Sequence, residues 1–235
     1  MITNIGGIEM TNIITNLTQQ KAITLLRILY PVWMIVGIFS LQYVPSTLIV
    51  LGDAATTASN IVANELLFRM GIVGSLMIQL LHIAVVLILY QLFKSVDKNQ
   101  ASLIVILGLV GVPIAMLNTL GKVMALTLVN SADQMMFYLN MNTNGIMIAS
   151  IFWGLWLLPQ GYLIIKSGYF PKIFGFLMYL AGLSYFIGSF VYFLLPTLAI
   201  IPALNILAIG EVLFMGWVVL KGAKLPSKDA NKETG

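Results

Sequence analysis

GDAATTASNIVANELLFRMGIVGSLMIQLLHIAVVLILYQLFKSVDK, Gly52 to Lys98, decides how this chain is read. A short polar stretch leads into a long apolar one. Asp53, directly after Gly52, is placed to cap a short helix over about 54–64, whose Ala, Thr, Ser and Asn suit an interface better than a membrane centre. From Leu66 to Phe93 the chain is apolar for longer than the ~20 residues a helix needs to cross hydrocarbon. Glu65 and Arg69 stand at the join with i, i+4 spacing, which predicts a local salt bridge. Ser75, Gln79 and His82 follow i, i+4, i+7 and so share one helix face. His82 is the single histidine of the protein and falls near mid-span.

The remainder has the same character. Of the 235 residues 60% are hydrophobic and 9% charged, with a mean hydropathy of +0.99; soluble domains are about a quarter charged. Lipid is therefore the expected solvent for most of the chain. Six apolar spans are predicted, at about 22–44, 66–93, 101–129, 145–166, 172–195 and 199–220. The expected fold is all-α, a bundle of six transmembrane helices with short interfacial helices on the outer side. Residues 1–21 read as a polar leading segment without a cleavable signal peptide, 22–221 as the transmembrane domain, and 222–235 as a disordered cytoplasmic tail. The stretch 131–144 is expected to be an outer loop with an interfacial helix.

Basic residues orient the bundle. Lys21 and Arg27, Lys94 and Lys98, Lys166 and Lys172, and Lys221 onward fall on one side, while 45–65, 130–144 and 196–198 hold no Lys or Arg. The positive-inside pattern predicts a plasma (inner) membrane protein with both termini cytoplasmic. The net charge of +4 is thus a topology signal and not a nucleic-acid footprint. The absence of cysteine excludes disulfides, thiol catalysis and cysteine-ligated metals. No Walker loop, GxSxG or HExxH occurs, and one histidine with scattered carboxylates predicts no metal and no cofactor.

What needs an explanation is the polar content of the spans. Glu211 lies between Pro202 and Lys221, near mid-membrane, where a carboxylate must be protonated, paired or hydrated. His82 and Lys122 are its expected partners. The candidate ligand-binding set is Glu65, Arg69, Gln79, His82, Asn118, Lys122 and Glu211. It has two readings: hydrogen-bonding glue between helices, or a buried pocket for a small ligand, a lipid head group or a proton. Trp153, Trp156 and Gln160, and the tyrosines of the fifth span, are read as packing. Glycines at 71 and 74, 108 and 111, and 182 and 188 are read as close helix contacts.

Four stretches, GDAATTASNIVANELLFRMGI (52–72), LYQLFKSVDK (89–98), GYLIIKSGYFPKIFGFLMYLAGLSYFIGSF (161–190) and GEVLFMGWVVLKG (210–222), resemble a bacterial family of multi-pass membrane proteins catalogued as domain of unknown function 4386. Asp53, Asn60, Glu65, Arg69, Lys166, Ser167, Gly168, Tyr169, Pro171, Gly210 and Glu211 fit its pattern. The resemblance implies six helices and no established activity. His82, Trp156 and Gly188 depart from the pattern, which favours Glu65, Arg69 and Glu211 as functional candidates. The resulting expectation is a protein that binds or transports a small or lipidic ligand among membrane lipids. A membrane enzyme acting on a lipid or isoprenoid, or an accessory subunit of a membrane complex, is the alternative. Oligomer formation stays open.

Overall fold

Hydrophobic burial in lipid requires every backbone group to be satisfied within its own segment, which leaves helices as the natural form of these apolar runs. The computed structural model describes residues 17–197 and 206–226, and every regular element among them is helical. They are α1 (Gln19–Gly37), a π-helical turn (Ile38–Tyr43), α2 (Val44–Leu48), α3 (Ala54–Ala63), α4 (Glu65–Phe93), α5 (Lys98–Asn118), α6 (Leu120–Thr127), α7 (Ala132–Leu155), α8 (Leu157–Ser167), α9 (Lys172–Leu194) and α10 (Ile209–Lys221). Several join end to end. Five continuous rods are long and apolar enough to cross a membrane: Gln19–Leu48, Glu65–Phe93, Lys98–Thr127, Ala132–Ser167 and Lys172–Leu194. The protein is a multi-pass helical membrane protein. The first part of the expected sixth span, with Pro202 and Asn205, lies outside the described residues, as do most of the leading segment and residues 227–235 of the tail.

The rods close on themselves. α1 packs on α4, α4 on α5, and α5 on α7 and α8; these pack on α9, α9 on α10, and α10 on α1. Along one face of this ring the helix ends carry Lys94, Lys98, Lys166, Lys172 and Lys221. Opposite it, α3 covers the bundle and packs on α7. Asp53 caps α3 as expected: its carboxylate accepts from the Thr56 amide (2.9 Å) and hydroxyl (2.7 Å), bonds that hold its pKa below the usual carboxylate range. At the lysine-bearing end Asp97 accepts from Lys166 Nζ at 2.7 Å and from the Gln100 amide at 3.2 Å. The Lys166 bond is the main cause of its lowered pKa.

Two departures from the expected elements have local causes. The stretch 131–144 is no loop; it is the first half of α7, and the rod Ala132–Ser167 is roughly 54 Å long at 1.5 Å per residue. Its polar residues are tolerated because they project beyond the ~30 Å hydrocarbon layer. The rod breaks at Trp156, where Pro159 cannot donate to the Leu155 carbonyl. The π turn in α1 likewise precedes a proline, Pro45.

The close contacts are made by glycine. A Cβ at Gly154 would lie 2.5 Å from the Gly182 carbonyl oxygen, and one at Gly182 would lie 2.7 Å from that of Gly154. Seven residues on, Gly161 and Gly175 repeat the arrangement, each 2.7 Å from the other's carbonyl. The seam between α7–α8 and α9 is therefore backbone on backbone. Gly71 and Gly74 of α4 instead make room for side chains, those of Val44 and Ser40 of the first rod.

Candidate functional site

The ring is not filled. A cavity of about 410 Å³ lies inside it, walled by α1 and its π turn, α4, α7, α9 and α10. On α4, burying the polar face brings Gln79 and His82 to its wall, 4% and 3% exposed. The His82 ring lies between Trp156 (centroids 4.8 Å) and Trp33 (5.5 Å). Its Nε2 is 3.2 Å from the Gly108 carbonyl, which can only accept, so Nε2 carries a proton. A Cβ at Gly108 would meet Val86 Cγ2 at 2.8 Å, and His82 Nε2 at an ordinary contact distance of 3.4 Å. Gly111, one turn on, makes room for the Trp153 indole.

Glu211 enters the wall from α10 and accepts a long hydrogen bond, 3.4 Å, from Tyr185 Oη of α9. The expected partners of Glu211 were His82 and Lys122. Tyr185 takes that place because α10 packs chiefly on α9 and α1, and not on α4 or α6, which carry His82 and Lys122. Tyr185 was read as packing and carries no mark in an aromatic-rich helix. Trp153 and Trp156, also read as packing, line the cavity too.

The seven candidate residues fall into separate groups. Gln79, His82 and Glu211 share the cavity wall. Glu65 and Arg69 pair with each other at 2.7 Å, their side chains 52% and 58% exposed, away from it. Lys122 is buried, 9% exposed, and donates to Ser75 Oγ at 2.9 Å; Ser75 in turn donates to the Gly71 carbonyl. Asn118 and Asn142 exchange amide-to-carbonyl bonds of 2.6 and 2.9 Å, clamping α5 to α7. No three His, Asp or Glu side chains gather among the described residues.

Below the cavity, toward the lysine-bearing end, aromatic rings close the bundle. Trp33 stacks near Tyr30, Tyr30 meets Phe214, Phe214 meets Phe170 and Phe174, and Phe170 meets Phe93, each pair within 6.5 Å between centroids. Tyr30, Phe93 and Phe214 are among the most completely buried side chains of the protein. Phe93 stacks on Tyr169, whose hydroxyl accepts from Gln19 Nε2 at 2.7 Å and meets the polar rim.

Comparison with known proteins agrees with this architecture and names no activity. The family described as Domain of unknown function (DUF4386) matches residues 28–222. An uncharacterized protein of the archaeon Archaeoglobus fulgidus is 31% identical over 154 residues, covering 66% of this chain and 85% of the relative. No solved structure matches the chain significantly. His82, Trp156 and Gly188 all line the cavity.

Proposed function

The chain belongs to the DUF4386 family, and from that premise we propose that it holds a small or lipidic ligand in the cavity at the centre of its bundle. The observation that carries this reading is the cavity itself: about 410 Å³, within the range of small-molecule sites, with an aromatic wall and a few polar groups. A purely accessory helical subunit has no need of an unfilled core. Gln79 accords with the reading: its Oε1, like those of Gln91 and Gln160 away from the cavity, is buried without a hydrogen-bond partner, and here a ligand would supply one. We place six spans in the plasma membrane, with the lysine-bearing end and both termini in the cytoplasm, in keeping with the lysine distribution. The cavity then opens its polar wall on the outer half of the bundle, above the aromatic closure.

Native mass spectrometry of the purified protein tests the reading. The wild type is expected to carry a bound lipid or small molecule that Ser150→Phe, which fills the cavity from α7, does not carry. No bound species in the wild type, or the same species on both proteins, overturns it.

A further inference from the structure

We propose that the ligand of this cavity carries an organic ammonium group on an apolar body, seated against Glu211 and the surrounding indole rings. The inference rests on the binding reading above and adds the chemistry of the ligand. Among the described residues of the cavity wall, Glu211 is the one with a carboxylate and none is a lysine or arginine. Its Oε2 has only the long bond from Tyr185, and its Oε1 has no partner among the described residues. Lys122, the lysine expected to neutralise it, is held by Ser75 instead. A carboxylate at this depth must be protonated, hydrated or paired with a cation, and no cation of the described residues on this wall pairs with it.

The hydrogen-bonding capacity left over points the same way. Ser150, Ser184 and Ser189 donate their hydroxyl protons to the carbonyls of Ile146, Ala181 and Tyr185 on their own helices. The Tyr185 hydroxyl donates to Glu211, and His82 Nε2 donates to Gly108. The hydroxyl and imidazole protons of the wall are thus engaged; Gln79 Oε1 and the Glu211 carboxylate remain as acceptors, the Gln79 and indole N–H groups remain as neutral donors, and the charge preference of the wall is set by Glu211. An anionic head group would find a carboxylate and no cation to meet it. An ammonium would find that carboxylate, an orphan amide oxygen and the faces of Trp33, Trp153, Trp156 and Tyr185, to which cations are attracted. The apolar remainder of the wall, including Met34, Leu41, Ile78 and Met215, suits a hydrocarbon chain.

The same ammonium chemistry occurs in free amphiphilic amines and in choline-bearing lipid head groups. The test compares ligands of one chain length on protein purified in dodecyl maltoside: decyltrimethylammonium, decanol and decanoate, each below its micellar concentration, with dihexanoylphosphatidylcholine alongside. Quenching of the cavity tryptophans and the rise in melting temperature are read together. Decyltrimethylammonium is expected to bind at least about tenfold more tightly than decanol or decanoate, as a desolvated cation–π and carboxylate site requires. Glu211→Gln is expected to abolish that preference while leaving decanol binding unchanged. Equal binding of the amine, alcohol and acid overturns the ammonium assignment and leaves a ligand cavity standing. Tighter binding of decanoate overturns it as well. Binding of none of them, together with no co-purifying species, removes both readings. Should Glu211→Gln melt far below the wild type, the comparison of head groups on the wild type still decides. Phosphatidylcholine bound as tightly as the amine identifies a lipid head group; its rejection identifies a free amine.

Discussion

Lys122 shows what one buried residue costs this fold. Its ammonium sits 9% exposed with a single neutral partner, Ser75 Oγ, and a lone charge in such surroundings is a burden that well-packed apolar atoms do not share. Lys122→Met, similar in length and flexibility, is expected to melt at or above the wild-type temperature, within about 1 kcal/mol in the unfavourable direction. A larger drop in a thermal unfolding measurement would mean that the charge is needed. The residue scale was also the least legible one. That Ser75, Gln79 and His82 turn inward follows from their spacing, since any other orientation puts unpaired polar groups into lipid. Which of them meets Glu211 does not follow. That depends on the cyclic order of helices, and with α10 beside α9 the nearest hydroxyl is Tyr185.

At the scale of elements, apolar length marked the spans, and prolines mark where they bend. The helix over 54–63 was legible from Asp53 and the polar composition that follows it. The extension of α7 through 132–144 was not, because a polar helix outside the hydrocarbon and a polar loop share one composition. The glycine seam shows the same limit: Gly182 was readable as a contact, while its partner Gly154 and the second pair, Gly161 and Gly175, emerge only with the antiparallel register. Gly154→Ala is expected to destabilise by about 1–3 kcal/mol, as overpacking does, because the new methyl meets a carbonyl that cannot swing aside. An unchanged melting temperature would show that α9 can back away freely. Where α3 hands over to α4, Glu65 and Arg69 pair in the open. Each single charge reversal is expected to cost no more than about 0.5 kcal/mol, and the double reversal to recover most of it. A double variant no better than the worse single would show that the two act separately.

For the whole molecule the testable quantity is orientation. The chain has no cysteine of its own, so single introduced thiols report without background. Ser131 before α7 and Lys172 at the start of α9 are both exposed and lie at opposite ends of the bundle. In intact cells an impermeant maleimide is expected to label Ser131→Cys and to spare Lys172→Cys until the membrane is opened. The reverse pattern would invert the proposed topology. Family membership and the multi-pass helical architecture were both legible in the sequence, because hydropathy and a handful of motif residues carry them. The closed ring was not, since apolar helices of equal length carry no label for their neighbours. The same equality hides a cavity, because the side chains that line it are those that would fill a core.

The aromatic closure has a consequence for the energy economy of a cell. Protons cross proteins along files of hydrogen-bonded water, and a dewetted apolar constriction interrupts such a file. Tyr30, Phe93, Phe170, Phe174 and Phe214 form a packed, largely buried aromatic cluster that would interrupt such a file. If the cavity holds its ligand as proposed, that aromatic layer separates it from the lysine-bearing end, so that binding on one side need not open a path for protons across the membrane.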